Sequence, residues 1–350
     1  MSMNGSGENP EVSASMPTMV SIPRATEALR GTCAACGSPL VADPTRKGVN
    51  ICPNCHTIQK ASDQEFTPGS VVGDYRILKK LAQGGMGLLY LCCPVNDMSR
   101  RVVMKTLRLE LGENHEVYAR RFKRETQLLS SLKHDLIVQV YDYWSDESNA
   151  YLIMEYIDGE TLESIRNKNQ FLFDEPTLIE IMLQVADALK YAWDTQKILH
   201  RDVKPSNIML DKNDYLHLLD FGIAKSLDMQ ETTSLTIAGQ GLGTPGYMSL
   251  EQFRNTAVDC TTDIYGLGAT IYFLATGQPP FTGKNASIVF NEMLQHDPVP
   301  LHERNPDFSE NFSRLIQSTL NRNPKKRPAN WQKLIEDLQL VAEGKPPLPV

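Results

Sequence analysis

His200-Arg201-Asp202-Val203-Lys204-Pro205-Ser206-Asn207, followed by Asp220-Phe221-Gly222, is the stretch on which the reading of this chain turns. Two carboxylates, an amide and an ammonium group fall within one short span. At these separations they supply the charged and polar parts that phosphoryl transfer needs, where positioning and electrostatics do most of the work.

Upstream, LAQGGMGLLY (Leu81 to Tyr90) sets Gly84, Gly85 and Gly87 between two strand-like runs. Glycine lets a backbone approach phosphates closely and adopt positive φ without steric cost. A dinucleotide fingerprint requires a helix after its glycines, and a P-loop ends in Gly-Lys-Ser/Thr. LLYLCC reads instead as a strand, so the glycines form the tip of a strand-turn-strand flap. Lys105 closes the next apolar run, Val102-Val103-Met104. Alone it is as readily a surface charge. Twenty residues on, Glu125 lies in the helical stretch RRFKRETQLLSSL, where it could reach across to Lys105.

Taken together, these motifs resemble the protein kinase family over roughly residues 74 to 340. The resemblance implies an α+β, bilobal fold with a small β-rich N-lobe and a larger helical C-lobe. It implies that Asp202 accepts the proton of the attacking hydroxyl and that Asn207 and Asp220 hold Mg²⁺. Lys204 adds positive charge at the transferring group, and Lys105, paired with Glu125, holds the α- and β-phosphates of ATP. The nucleotide would lie under Ala82, Gly84, Gly85 and Gly87. Its base would sit between Leu89, Val103 and Met209, with Met154 as gatekeeper and Glu155 and Ile157 offering backbone hydrogen bonds. Ordinary core packing would select the same apolar residues, so these carry little weight.

Lys204 and Gly243-Thr244-Pro245 resemble serine/threonine kinases, and GGMGxxY, HRDVKPSN and GTPGYMSLEQ resemble the bacterial, eukaryotic-like members. The implied substrates are Ser/Thr hydroxyls of proteins. Between Asp220 and Glu251, Thr232, Thr233, Ser234 and Thr236 are candidates for autophosphorylation, Thr236 first. A phosphate there would find Arg201. Glu251 and Arg327 resemble the family's buried ion pair, and Asp263 the aspartate that braces the catalytic loop.

The remaining chain is organised around this domain. Residues 1–30 are rich in Ser, Gly, Pro, Asn and Met and read as a disordered tail, and 61–73 as a polar linker. Residues 74–343 form the kinase-like domain, with YRILKKLA, LLYLCC, RVVMKTL, VQVYDYW and YLIMEYI as strands and a helix around Val117 to Leu132. In LIEIMLQVADALKYAW, Ile179, Leu183, Ala186 and Leu189 recur at helical spacing. Residues 344–350, GKPPLPV, end the last helix as a tail.

Residues 31–60 hold Cys33-x2-Cys36 and Cys52-x2-Cys55, a spacing that matches zinc-ribbon knuckles. Four thiolates close a tetrahedral Zn²⁺ site with no place for water, so the metal would be structural and would drive folding of a segment too small to fold alone. Disulfides or a redox dithiol pair are the alternatives, and His56 could replace one cysteine. A surface histidine beside a complete site is the simpler reading. The ribbon would serve a protein partner or regulate the domain. Cys92, Cys93 and Cys260 read as small buried residues.

A net charge of -7, from 35 basic and 42 acidic residues, gives no general attraction to nucleic acid or anionic membrane. No apolar run is long enough to span a bilayer, and the amino terminus lacks a secretory pattern. The expected location is the cytoplasm. Three positions depart from the family pattern: Ala82 for the first flap glycine, Leu250 for the proline before Glu251, and Asp135 for the proline after histidine. Two rival readings stand beside the kinase. One is a pseudokinase scaffold; the other is a nucleic-acid-binding ribbon with a regulatory kinase domain.

Overall fold

The computed structural model describes residues 38, 41–42, 49–56, 58–60, 65–84, 87–108, 115–146, 149–169, 172–222 and 245–349. The expectations placed on residues 1–30, Cys33, Cys36, Gly85, Thr232, Thr233, Ser234, Thr236, Gly243 and Thr244 lie outside the described residues.

Strands β1 (Val41–Ala42), β2 (Val49–Ile51) and β3 (Ile58–Lys60) make a small antiparallel meander in the cysteine-bearing segment. A six-stranded antiparallel sheet follows, in the order β4-β5-β6-β7-β9-β8. Its strands are β4 (Val71–Val72), β5 (Tyr75–Gly84), β6 (Gly87–Pro94), β7 (Val102–Arg108), β8 (Val140–Ser145) and β9 (Asn149–Glu155). Helix α1 (His115–Ser131), two residues earlier at its start than its periodicity suggested, packs on β8 and β9.

The two faces of this sheet are separated by strand alternation. Val102 and Met104 of β7 point one way, with Tyr90, Cys92, Tyr151 and Ile153, and build a self-contained outer cluster. Val103 and Lys105 point the other way, toward the main core. The outer cluster has a lid that the sequence did not announce. From Glu65 onward, the stretch read as linker joins the sheet: Gly69 N–H donates to Ile77 O at 2.8 Å and Phe66 N–H to Tyr90 Oη at 3.0 Å. The Phe66 ring packs 5.5 Å from that of Tyr90. One aromatic residue in a polar stretch has enough apolar surface to fix it.

Beyond the sheet the chain is mostly helical. A small sheet of β10 (Gly159–Thr161), β11 (Ile208–Asp211) and β12 (Leu216–Leu218) lines the junction. Helices α2 (Leu162–Asn169) and α3 (Glu175–Gln196) flank it. Asp174 caps α3 by accepting from Thr177 N–H. The buried face of α3 is broader than the four positions read from spacing: Leu178, Ile181, Met182, Val185 and Ala192 join it, and Leu183 is only partly buried. The reason is that α3 packs on both the Cys260–Thr276 and Trp331–Ala342 helices. The Cys260–Thr276 helix is buried from Cys260 through Ala275 and forms the centre of the lobe. At its Gly268 an added Cβ would meet Thr319 Oγ1 at 2.0 Å, so a side chain cannot be accommodated there. The tail folds back, with Leu348 N–H donating to Asp337 Oδ1 at 2.9 Å.

Cys92, Cys93 and Cys260 are buried free thiols. Burial pushes the Cys92 thiol up to about 12 and Cys260 to about 11, which leaves both inert at neutral pH. No helix among the described residues is long and apolar enough to cross a membrane.

Candidate active site

Between the two lobes lies a cleft whose polar groups come from four elements. β7 carries Lys105 on its cleft-facing side, opposite Leu89 on β6 and Leu152 on β9. Val103 on the same face pairs with Met154. Leu89, Val103, Lys105 and Met154 therefore share one surface. Met209 sits on β11, partly buried against the same core. Glu155 ends β9 with its N–H donated to Gln139 O at 2.9 Å, which leaves only its carbonyl for a ligand. Ile157 lies two residues beyond the end of that strand, so both its backbone groups fall outside the ladder.

The β5–β6 hairpin extends to Gly84 and Gly87, which face each other across the turn, with Ala82 opposite Leu89. Gly87 has φ +151°, and a Cβ there would stand 1.7 Å from Thr106 O. Glycine at this position is a steric requirement. Ala82 is exposed on the strand, a position any small residue fills.

The stretch from His200 to Asn207 is held by a buried lattice of hydrogen bonds. Asp263, 3% exposed, accepts from His200 N–H and Arg201 N–H, both at 2.7 Å. The His200 ring accepts from Asp202 N–H through Nδ1 at 3.2 Å and donates from Nε2 to Leu219 O at 2.7 Å. Those two partners fix the proton on Nε2. The ring also lies 4.7 Å from that of Phe221, and Gly222 N–H donates to His200 O. Arg201 and Asp220 adopt left-handed φ of 61° and 51°, a strained conformation costing about 1–3 kcal/mol each that the lattice sustains.

Around this frame the charged groups meet. Lys204 Nζ is 3.0 Å from Asp202 Oδ2. Asn207 donates from Nδ2 to Asp202 O at 2.8 Å and to Asp202 Oδ2 at 3.2 Å. With its amide nitrogen engaged twice, the Asn207 oxygen is the atom left to bind a cation. Lys105 Nζ makes an ion pair to Asp220 Oδ1 at 2.9 Å. Glu125, the partner expected for Lys105, is half-buried on α1. A carboxylate from Asp220 and an amide oxygen from Asn207 form a hard-oxygen donor set that suits Mg²⁺.

Below the cleft, Glu251 and Arg327 form a bidentate pair at 2.6 and 3.0 Å, with side chains 8% and 0% exposed. Thr262 Oγ1 donates to Glu251, and Arg327 donates further to Thr261 O and Asn321 O. Burial pushes the Glu251 carboxyl up, but the Arg327 hydrogen bonds and charge outweigh it and hold the group below its usual range. Leu250, one of the departures, is buried in the core, and Asp135, another, is exposed in the loop after α1.

Two participants escaped the sequence reading. His200 was quoted without a role. Gln252 accepts from Ser249 N–H at 3.1 Å and donates to Arg201 O at 2.8 Å, tying the next helix to the His200–Asn207 stretch. Ser249-x-x-Gln252 is a capping-box spacing and could have been found.

The model of the protein kinase domain matches residues 75–338. The chain belongs to the protein kinase family. It is similar to the serine/threonine-protein kinase PknB of Mycobacterium leprae, at 34% identity over 285 residues, covering 80% of this chain and 45% of that protein. Serine/threonine-protein kinase pkn3 of Myxococcus xanthus is 34% identical, covering 79% of this chain and 51% of its own length. The chain thus spans about half the length of these curated relatives. Among solved structures, the kinase domain of Mycobacterium tuberculosis PknI aligns with TM-score 0.64 at 24% identity, covering 80% of this chain and all of that one. That likeness bears on the fold, with its sheet-built N-lobe and helical C-lobe.

The cysteine segment is separate from this match. Cys52 and Cys55 stand at the β2–β3 connection, with Cys55 N–H 3.4 Å from Cys52 Sγ. His56 is exposed. No group of three or more His, Cys, Asp or Glu disposed to hold a metal occurs among the described residues.

Proposed function

We propose that this chain is a protein serine/threonine kinase that transfers the γ-phosphoryl group of Mg·ATP to Ser/Thr hydroxyls of proteins. The observation that carries the reading is the convergence of Lys105, Asp202, Lys204, Asn207 and Asp220 on one cleft, with each carboxylate already facing a cation. In the reaction the acceptor oxygen bonds to Pγ, the bond from Pγ to the β–γ bridging oxygen breaks, and ADP leaves. Asp202 orients the acceptor hydroxyl and takes its proton. Lys204, 3.0 Å from that carboxylate, places positive charge beside the transferring group. Asn207 and Asp220 would hold magnesium, which supplies charge neutralisation on the phosphates when bound.

Lys105 binds the α- and β-phosphates, and Glu125 on α1 is its second carboxylate. Ala82, Gly84, Gly85 and Gly87 cover the phosphates. Leu89, Val103, Met154 and Met209 surround the base, with the Glu155 carbonyl and the Ile157 backbone at its edge. Activity is raised by autophosphorylation at Thr236 or at its neighbours Thr232, Thr233 and Ser234, drawing on Arg201. Incubation with Mg·ATP followed by phosphosite mapping tests this reading. Phosphate within 232–236, absent from Asp202→Asn, is expected; no phosphate in wild-type protein that binds ATP would favour a scaffold.

The organisation we propose is a tail at 1–30, a ribbon at 31–60, a connection to the kinase domain, and a short tail at 344–350. Cys33, Cys36, Cys52 and Cys55 bind a structural Zn²⁺ in the ribbon. The β1–β3 meander and the amide-to-sulfur contact at Cys52 support this, since such contacts orient thiolates toward a metal. Elemental analysis should find one zinc per chain, lost in Cys52→Ser; no zinc in the wild-type protein would dismiss it. The ribbon's occupant would be a protein partner.

A further inference from the structure

Arg166 lies in the last turn of α2, and its surroundings are unusual for an arginine. Its Nε is sealed from solvent without a hydrogen-bond partner, and the side chain is half-buried. The guanidinium stands over the Phe273 ring, 5.6 Å from its centroid. Among the described residues no carboxylate lies within ion-pairing distance of it, although Glu163 is one turn away on the same helix. Arg327, by contrast, bonds to Glu251 and two carbonyls. The berth is shaped for the guanidinium: Gly277 has φ +80°, and a Cβ there would meet Arg166 Nη2 at 1.8 Å. A cation at a helix C-terminus is favourable, but that preference is met at the surface, as by Lys168, and explains no burial. With Nε sealed off and no carboxylate paired to the half-buried head, its positive charge is uncompensated, and an anion reaching the accessible part of the guanidinium would bind with advantage.

The position says whose acceptor it would be. α2 packs on the Pro205–Asn207 turn, which follows directly on Lys204. Phe273 meets Tyr247 edge-on at 6.0 Å, and Tyr247 lies near the end of the segment joining Asp220 to Glu251. Burial and the Glu163 charge push the Tyr247 phenol up while Arg166 pulls it down, so the guanidinium's field reaches that ring. Arg166 thus stands beside the region between the Pro205–Asn207 turn and the end of that segment, where a polypeptide bringing its hydroxyl to Asp202 would pass.

We propose that Arg166 is a specificity-determining residue that receives an anionic side chain, carboxylate or phosphate, of the substrate polypeptide near the acceptor hydroxyl. The inference rests on the kinase reading. A charge-assisted hydrogen bond of this kind is worth about tenfold in kcat/KM.

The test uses the full chain and Ser/Thr peptides in which Glu, Gln or phosphoserine is placed in turn at each position around the acceptor. Wild-type protein should prefer Glu over Gln about tenfold at one position, mainly through KM, and the preference should weaken with salt. Arg166→Gln should abolish it, Arg166→Lys should keep part, and Arg166→Glu should favour Lys at the same position. A preference for phosphoserine well above Glu would assign the anion to a previously phosphorylated substrate; Glu alone sufficing would assign it to a carboxylate. Wild-type protein that does not discriminate Glu from Gln at any position overturns the proposal, as does full discrimination retained in Arg166→Gln. Should Arg166→Gln not fold, Arg166→Met, which preserves the stacking on Phe273, takes its place. Transfer to the Gln peptides reports on the kinase reading separately, so failure of one is distinguishable from failure of the other.

Discussion

Two ion pairs in this molecule use the same chemistry to opposite ends. Lys105–Asp220 crosses the cleft through a single contact between side chains 18% and 24% exposed. Arg327–Glu251 is bidentate, 0% and 8% exposed, and anchored by Thr262 and two backbone carbonyls. A partly solvated pair contributes little to stability and opens readily. A buried pair with all its donors satisfied is expensive to break from one side, because the remaining charge is stranded. On the proposed function the cleft pair is two ligand-binding groups holding each other, and the lower pair is a fastening. Substitution in the cleft should cost turnover, and substitution below it should cost stability.

The largest expected effect is on turnover. Asp220→Asn should lower kcat by at least about a hundredfold, while unfolding free energy changes by no more than about 1 kcal/mol. Steady-state phosphoryl transfer and urea denaturation on the same preparation measure both. Next, Arg327→Ala should destabilise by about 3–5 kcal/mol, because it strands the Glu251 carboxylate. Replacing both partners with apolar residues of similar volume should cost much less, and equal costs would break the comparison.

Acid should distinguish the pairs as well. The folded Glu251 carboxyl is held below its ordinary value of 4.5, so unfolding takes up a proton. The stability it contributes is present above pH 4.5 and is lost as pH falls through the lower folded value. Urea midpoints measured down the acid range should show this loss, and Glu251→Gln should flatten it. The smallest effect belongs to the flap: Gly87→Ala should cost about 1–3 kcal/mol through backbone strain and raise the KM for ATP, read from nucleotide titrations of initial rate.

Much of this arrangement was legible in the sequence because the groups that carry it are charged or conformationally special. Asp202, Asn207 and Asp220 stand at fixed separations, and Val102-Val103-Met104-Lys105 reads as a strand; its pairing in the sheet puts Val103 and Lys105 on one face. Gly87 reads as suited to close approach to phosphates; the structure adds a separate reason for glycine there, since a Cβ would meet Thr106 O at 1.7 Å. Less legible was whatever depends on tertiary packing. Phe66 looked like an isolated aromatic in a polar linker, and only the outer face of the sheet gives it a partner. The wide buried face of α3 follows from two helices packing on it, which no single-helix periodicity encodes. Arg166 carried no motif at all. Its interest lies in what surrounds it, and Phe273 and Gly277 are far from it in sequence.

The most direct test of the central claim is the rate of phosphoryl transfer from Mg·ATP to a general protein substrate, compared between wild-type protein and Asp202→Asn at equal folded fraction. A loss of about 10²–10⁴-fold with ATP binding retained is the predicted result, the range expected for removal of a positioned base. Equal rates in the two proteins would contradict it, because the cleft that Asp202, Lys204 and Asn207 build would then not be where the chemistry occurs.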